Sequence, residues 1–464
     1  SPPSSVATPL DAGSPEARLT AEYLASHLAA IGAVPLGDPG PGGRAFTQRF
    51  MLERATPRAE GSSLVLTLEA EEAARRVIPA KLGVDYIYAP VGVVGGEIDA
   101  PVVFVQHGRA EDYADHDVAN RFVLILKGLP DKSDDPRRDF EATQAAVRTA
   151  REKGAAGVLL IEPSGRVAGR PALPAVPRDL GFDRTRTTLG AAAAEIPVIN
   201  LSDPIRDVLV ASLPRASLRV AFTHVVDREP LEDRNVVGFL PGTDPEKKRE
   251  IVVYSAHYDH EGVDEKGEIY NGSDDNASGT SGVLEVAQAF AAAPRPARSV
   301  AFLWVSAEEK GLLGSKWFAD HRVLPEGYSI VADINLDMIS RKDPAKISAT
   351  PSPSHQDYNN LVADAAEAAR SEGLELQFDA DPYYARTDSF NFAAKGIPVI
   401  FFFAGLHEDY HKPSDDVDKA DLEKAARVAR AAFRLGWKAA QAPEAPRKLP
   451  AQPPTPPPAE AAGS

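Results

Sequence analysis

The chain contains 464 residues, enough for two or three domains, and 43% of them are hydrophobic, so it can bury a large core. The formal net charge of −16 argues against nucleic acid as a partner, because proteins that bind phosphates usually carry a basic surface. The sequence has no cysteine, which excludes disulfides, thiolate ligands and a cysteine nucleophile, and no apolar run of about 18 residues that would predict a membrane span.

The N-terminal half begins with a Ser/Pro/Ala-rich segment, residues 1–14, that we expect to be disordered. Residues 15–32 carry apolar side chains at helical spacing and predict an amphipathic helix. Short strands are expected at 46–52 and 63–68. Residues 85–226 combine short β runs, a predicted helix and a Pro/Arg/Gly-rich stretch, and we interpret them as an inserted module.

Strands and helices alternate from Asn235 to Trp437. Four compact apolar runs indicate buried strands, at 251–256, 300–306, 330–336 and 397–403. Helices are predicted at 278–293, 311–320, 355–372 and 418–440. This alternation predicts an α/β fold with a mostly parallel central sheet sandwiched by helices. Residues 441–464 contain eight prolines and predict an extended tail.

Polar side chains follow each of the four apolar runs. In chain order they are His257 and Asp259, then Glu308 and Glu309, then Asp337, then Tyr410 and His411. Ligands of open α/β sheets bind beyond the carboxyl ends of the strands, so we expect these groups to meet at one edge. Asp275 lies just before the predicted helix 278–293, where the helix N-terminus favours a carboxylate.

This set of imidazoles and carboxylates suits zinc, although Co²⁺ or Mn²⁺ could use the same ligands. Two divalent ions about 3.5–4 Å apart need a bridging carboxylate, and Asp275 is the candidate for the bridge. Each residue alone has an ordinary structural explanation, such as a turn, a cap or a solvated acidic pair. Their coincidence at one predicted edge favours a two-metal site.

The combination of motifs resembles the M28 family of zinc peptidases. The motifs are His257-Tyr258-Asp259, Gly-Ser-Asp-Asp275-Asn-Ala-Ser-Gly, Glu308-Glu309, Asn335-Leu-Asp337-Met and Tyr410-His411. The resemblance covers about 15–75 and 230–440, and we interpret 15–80 with 230–440 as one discontinuous zinc peptidase domain. The inserted region 85–226 resembles a β-rich protease-associated domain.

The resemblance implies two zinc ions with the following ligands: His257, Asp275 and Asp337 for one ion, and Asp275, Glu309 and His411 for the other. Three further roles are implied: Glu308 as general base and acid, Asp259 as the residue that orients His257, and Tyr410 as a donor to the developing oxyanion. The family pattern also implies a cis peptide bond between Asp275 and Asn276.

The implied activity is that of a two-zinc aminopeptidase, which hydrolyses the first peptide bond of peptides with a free N-terminus through a metal-bridging hydroxide. Residues 383–390 resemble the segment that lines the family's substrate pocket, which makes Arg386, Asp388 and Phe390 candidate substrate contacts. A polar loop over a core phenylalanine is the alternative explanation. The chain begins without an initiator Met, as after removal of a signal peptide or after trimming of the chain. A secreted or periplasmic location is therefore an expectation that the family resemblance implies.

Other functions on the same fold are open at this point. They include dipeptide hydrolysis, carboxypeptidase action and glutaminyl cyclisation with a single zinc. A non-catalytic binding protein with a protease-associated domain is an alternative of a different class. The complete set of five ligands and a base favours hydrolysis with two zinc ions.

Overall fold

The computed structural model describes residues 10–70, 73–89, 93–131, 136–163, 186–189, 196–213, 215–264, 266–321 and 324–453. The chain divides into two compact units, and the division falls within two long strands, Thr47–Ala70 and Ser217–Leu240. Unit 1 comprises Ser1–Leu52 with Leu231–Ser464, and unit 2 comprises Glu53–Pro230.

This division differs from the predicted boundaries, which placed residues 15–80 in the peptidase domain. Residues 53–80 belong to unit 2. The physical reason is a local hairpin, in which Leu64 pairs with Ala80 and Leu68 pairs with Arg76.

Unit 1 is built around a mixed sheet. In spatial order its strands are Glu375–Gln377, Lys346–Thr350, Val399–Phe403, Ser329–Leu336, Glu250–His257, Ser299–Val305 and residues 236–240 of Ser217–Leu240, with Val34–Pro35 paired to the last. The strands from Val399–Phe403 to Ser299–Val305 run parallel to one another. Antiparallel strands flank them on either side. A small hairpin joins Pro39–Gly40 to Gly43–Arg44.

Helices cover both faces of this sheet. One face packs against Pro15–Ala30, Gly279–Ala292, Asn360–Ser371 and Leu422–Gln441, and the other against Leu313–Asp320 and Ser389–Ala393. Successive strand residues point to opposite faces, so Val252 belongs to the first core and Val253 to the second. The predicted α/β fold with a mostly parallel, helix-covered sheet is confirmed.

Side-chain caps decide where several helices begin. The Asn359 side chain accepts hydrogen bonds from the main-chain NH groups of Leu361 and Val362, so that helix begins at Asn360 and not at the predicted residue 355. Ser14 caps the first helix in the same way, and Asp421 caps the last.

Hydrogen bonds connect both ends of the described chain to the rest of unit 1. Residues 1–9 and 454–464 of the predicted disordered segment and tail lie outside the described residues. Residues 10–14 differ from the expected disorder, because the carbonyl of Leu10 accepts a hydrogen bond from the His260 NH at 2.6 Å. Near the other end, the Leu449 NH donates to the carbonyl of Tyr358.

Unit 2 is rich in β-structure. Besides residues 53–70 of the first long strand and 217–230 of the second, its strands are Ala73–Ala80, Tyr86–Tyr88, Gly96–Phe104, Phe122–Leu126, Gly157–Ile161, Arg186–Leu189 and Val198–Leu201. Helices Pro136–Glu152 and Asp203–Ser212 belong to it as well. The strand Phe122–Leu126 lies between parallel neighbours and is almost fully buried. In the described parts of both units, no helix has the length and apolarity to cross a membrane.

Candidate metal centre

The parallel strands of unit 1 deliver the predicted site residues to one edge. His257 is the last residue of Glu250–His257, and Asp337 directly follows Ser329–Leu336. Glu308 and Glu309 come shortly after Ser299–Val305. Because these strands run in the same direction, their carboxyl ends lie side by side and their side chains converge.

Asp275 reaches the same place from an irregular turn, Ser273–Ser278, that leads into the helix Gly279–Ala292. Gly272 opens the turn in the left-handed conformation, with φ of 60°, which glycine adopts without steric cost. The peptide bond between Asp275 and Asn276 is cis, as the family resemblance implied. The Asp275 side chain is buried.

Two groups of ligand atoms share Asp275. His257 Nε2 lies 3.3 Å from Asp275 Oδ1 and 3.4 Å from Asp337 Oδ1. His411 Nε2 lies 3.2 Å from Asp275 Oδ2 and 3.1 Å from Glu309 Oε2. Each oxygen of Asp275 therefore faces a different histidine, which is the arrangement of a carboxylate between two cations.

The spacing of these atoms fits divalent ions. Two ligands of a tetrahedral zinc with bonds of about 2.0–2.1 Å are separated by about 3.3 Å, close to the four distances above. Within the described part of the chain, His257 Nε2, His411 Nε2 and Asp337 Oδ1 have no hydrogen-bond partner although they are buried. Buried polar atoms nearly always have a partner, and a cation would supply one here.

The electrostatics of the cluster also favour bound cations. Burial alone would lower the pKa of His411, but the carboxylates of Asp275 and Glu309 raise it to about 10. Burial likewise opposes the charged form of His257, yet Asp337 and Glu308 hold its pKa well above the usual value. Crowded carboxylates thus attract positive charge, as protons on the imidazoles or as metal ions.

Glu308 lies in the same cavity as several candidate ligands but outside the potential ligand groups. It lines one cavity with Asp275, Asp337, Tyr410 and Arg386, but it is absent from the groups of potential metal ligands found in the described residues. Burial raises the pKa of the Glu308 carboxyl well above its usual range, opposed by His257 and reinforced by neighbouring carboxylates.

Asp259 contacts both the histidine and the two glutamates. The Nδ1 atom of His257 lies 3.1 Å from the Asp259 carbonyl oxygen and 3.7 Å from its carboxylate. The Asp259 carboxylate accepts hydrogen bonds from the main-chain NH groups of Glu308 at 3.1 Å and Glu309 at 3.4 Å. The Asp259 carboxylate thus holds the loop of Glu308 and Glu309, whereas the ring of His257 lies within hydrogen-bond distance of the Asp259 carbonyl oxygen.

The three candidate substrate contacts lie in different surroundings. Arg386 lines the cavity, and its Nη2 atom lies 3.4 Å from the hydroxyl of Tyr410. Asp388 is buried, and burial raises its pKa to about 7. Phe390 is partly buried and packs against the core and the ring of Tyr384. Met338, Tyr383, Phe401, Phe403 and Leu406 supply the apolar wall of the cavity.

Several residues around the site have no role predicted from the sequence. His260 belongs to a potential ligand group with Asp275 and Glu309, and its position next to Asp259 was a usable signal. Asp415 accepts hydrogen bonds from the main-chain NH groups of Asp274 and Asp275, and His407 Nε2 lies 3.3 Å from Asp274 Oδ2. These two contacts join segments far apart in sequence, and no spacing rule predicts them.

A helix-covered α/β sheet with histidines and carboxylates at its carboxyl edge is an arrangement typical of metal-dependent hydrolases. Residues 235–435 match the family model described as peptidase family M28. The matched region contains each of the residues predicted as ligand or base.

Comparison with known proteins agrees with this match. Leupeptin-inactivating enzyme 1 of Streptomyces exfoliatus is 29% identical over 189 residues, which are 40% of this chain and 38% of that protein. Aminopeptidase YwaD of Bacillus subtilis (strain 168) is 27% identical over 237 residues, 49% of this chain and 48% of that protein. The match thus spans less than half the length of each relative.

Among solved structures, the aminopeptidase from Aneurinibacillus sp. strain AM-1 is similar to this chain with a TM-score of 0.59. The similarity covers 96% of this chain and 93% of that one at 22% sequence identity. At this level of identity the comparison shows a shared fold.

Proposed function

We propose that the protein is a two-zinc aminopeptidase that hydrolyses the first peptide bond of peptides with a free N-terminus. The observation that carries the proposal is the shared position of Asp275, whose two oxygens face His257 and His411. The base Glu308 lines the same cavity. The match of residues 235–435 to a peptidase family supports hydrolysis as the reaction.

The residues present would hold one ion with His257, Asp275 and Asp337, and the other with Asp275, Glu309 and His411. Cobalt or manganese could replace zinc on the same ligands. When bound, a pair of divalent ions would lower the pKa of a shared water and polarise the carbonyl of the scissile bond.

The protein's own side chains would move the proton and bind the developing charge. Glu308 would take a proton from the attacking water and return it to the leaving amine. Its raised pKa favours the protonated form, which would donate the proton to the leaving amine. The hydroxyl of Tyr410, next to Arg386, would donate a hydrogen bond to the oxyanion.

The cavity wall suggests which N-terminal residues the site would accept. Met338, Tyr383, Phe401 and Phe403 line the cavity beside the ligands and present apolar surface. An apolar side chain would gain binding energy by leaving water there. The surrounding carboxylates would attract the positive charge of a free N-terminal amine.

Three further expectations are proposals that stand on sequence alone. They are the protease-associated identity of residues 85–226, a secreted or periplasmic location and the lack of nucleic-acid partners.

The test is the release of p-nitroaniline from leucine, phenylalanine, lysine and glutamate anilides, each with a free and with an acetylated amine. We expect cleavage of the free leucine and phenylalanine anilides, loss of activity after chelation, and recovery with added zinc. The acetylated forms should resist cleavage, because a blocked amine carries no positive charge.

The alternatives give different results in the same assay. Bound zinc without cleavage of any anilide would favour a dipeptidase, a carboxypeptidase or a cyclase. Tests with dipeptides, C-terminal peptides and N-terminal glutamine would then separate these three. The absence of both cleavage and bound zinc would favour a binding protein.

A further inference from the structure

His260 is a buried histidine directly beside the second group of ligands. Only 1% of its surface is exposed, and its Nδ1 atom lies 2.8 Å from Glu309 Oε1. A carboxylate without a proton can only accept a hydrogen bond, so the nitrogen must be the donor. The contact is therefore a charge-assisted hydrogen bond from the imidazole to the carboxylate.

The two oxygens of Glu309 consequently have different partners. Oε1 accepts from His260, whereas Oε2 lies 3.1 Å from His411 Nε2, on the side of the second metal group. The 2.8 Å separation is also shorter than the roughly 3.3 Å expected between two ligands of one tetrahedral zinc. A nitrogen that donates its hydrogen to Glu309 cannot bind a cation with the same atom.

The surroundings fix the ring of His260 in this position. Its main-chain NH donates to the carbonyl of Leu10 at 2.6 Å. Gly272 lies directly against the ring, since an added Cβ there would be 2.7 Å from the Cγ atom of the imidazole. Lys310, next to Glu309, forms ion pairs with Asp11 at 3.1 Å and with Glu261 at 3.3 Å. The N-terminal segment thus fixes the main chain of His260, and the turn that carries Asp275 packs against its ring.

We propose that His260 is a positioning residue, which holds Glu309 so that one carboxylate oxygen is directed at the second cation. The inference rests on the proposed function, because it takes Glu309 as a metal ligand. A carboxylate fixed by a second hydrogen bond loses less rotational freedom when it binds a cation. Partners of this kind typically contribute 10- to 100-fold to metal affinity.

The experiment compares zinc binding by the full-length protein and its variants in competition with a chromophoric chelator. His260→Phe keeps a ring of similar size but removes the donor. In His260→Asn the side-chain amide places an NH₂ group near the former Nδ1 atom. His321→Phe is the matched control, because His321 is an exposed histidine that stacks on Trp317.

We expect the unaltered protein to bind two ions. His321→Phe should bind each ion as tightly as the unaltered protein does. His260→Phe should weaken one of the two ions about 10- to 100-fold and leave the other unchanged. His260→Asn should stay within a few-fold of the unaltered protein, since the donor is restored. Thermal unfolding of the metal-free proteins reports whether each variant folds. If the phenylalanine ring prevents folding, His260→Ala takes the place of His260→Phe.

Normal binding of both ions by His260→Phe would overturn the proposal. So would a His260→Asn variant as weak as His260→Phe, because that result would make His260 a direct ligand or a packing residue. If the unaltered protein binds fewer than two ions, the two-zinc function itself fails, and the inference fails with it. The three outcomes are distinguishable, since the readout is metal affinity and not turnover.

Discussion

One oxygen of Asp415 accepts a hydrogen bond from the main-chain NH of Asp275 at 3.1 Å. The same oxygen accepts a second hydrogen bond from Asp274 at 3.0 Å, and the Asp415 side chain is buried. Because Asp415 lies four residues after His411, this contact ties the turn of the bridging ligand to the loop of the second histidine. The relative placement of two ligands thus depends on a residue that binds no metal.

We therefore expect Asp415→Ala to weaken zinc binding about 10- to 100-fold, since the turn of Asp275 loses its acceptor. Asp415→Asn keeps an acceptor oxygen and should lose much less. Asp418→Ala, at an exposed acidic residue of the same loop, is the control. Equal zinc affinities for Asp415→Ala and Asp418→Ala, measured by competition with a chelator, would contradict the role of the contact.

Glu308 and Glu309 should respond differently to the same substitution. Glu308→Gln should keep both zinc ions and lower kcat by about 10²- to 10⁴-fold, because the amide cannot accept the proton of water. Glu309→Gln should lose affinity for one ion. Metal analysis of both purified variants, beside their turnover of an aminoacyl anilide, provides the check. A Glu308→Gln protein without zinc would show that the roles are assigned wrongly.

Tyr410→Phe should lower kcat by about 10²- to 10³-fold and change KM little, because the lost hydrogen bond would form only as the oxyanion develops. Tyr383→Phe is a matched substitution in the wall of the same cavity. Its ring surface is kept, so we expect nearly unchanged kinetics. The prediction fails if the two variants have similar kcat values.

His224 in unit 2 should make stability dependent on pH. Its ring lies between the hydroxyls of Tyr86, 2.7 Å from Nε2, and Tyr88, 2.6 Å from Nδ1. Tyr88 donates its own hydrogen to the Val94 carbonyl, so Nδ1 carries the proton and Nε2 accepts from Tyr86. Burial lowers the pKa of His224 from 6.5 to about 4.

Between these two pH values the unfolded chain binds a proton that the folded chain does not bind, so acidification favours unfolding. The contribution of neutral His224 is complete above about pH 6.5 and is lost as the pH falls toward 4. We expect a loss on the order of 1–2 kcal/mol between pH 7 and pH 5. Calorimetric unfolding of the unaltered protein should show this loss, and His224→Gln should lack it. Equal pH dependence in both proteins would contradict the assignment.

Gly436 marks a close contact between the last helix of unit 1 and its sheet. A Cβ at this position would overlap with the hydroxyl of Tyr254, which itself donates to the carbonyl of Ala432 at 2.9 Å. Gly436→Ala should therefore destabilise unit 1 by about 1–3 kcal/mol, despite the better helix propensity of alanine.

The same contact can be tested by rescue. In the double variant Gly436→Ala with Tyr254→Phe, the hydroxyl that causes the overlap is absent, and we expect part of the lost stability to return. Denaturant unfolding of the two single variants and the double variant measures the coupling. Strict additivity would show that the overlap is relieved in another way.

The sequence was sufficient to predict the α/β fold. It also predicted that His257, Glu309 and Asp337 lie at the same edge of the sheet. Both follow from local patterns, since short apolar runs alternate with helical periodicity and parallel strands end at the same edge. The boundary between the two units at Leu52 could not be predicted in this way. The hairpin that places residues 53–80 in unit 2 depends on which strands pair, and single-strand patterns do not encode the partner.

Phe390 illustrates the same limit for a side chain. Its segment resembles a substrate pocket, and its partly buried ring packs against Tyr384 at the border of the core. Both locations suit an aromatic residue, because burial against substrate and burial against protein remove the same apolar surface from water.

Strand direction and residue order are properties of the chain, so the sequence predicts which chemical groups are available and on which edge of the sheet they stand. How those groups are held depends on contacts between distant loops. The contacts of His260 with Glu309 and of Asp415 with Asp275 join residues 49 and 140 positions apart. Such contacts form only when separate loops fold together, and their geometry depends on packing that no local pattern records.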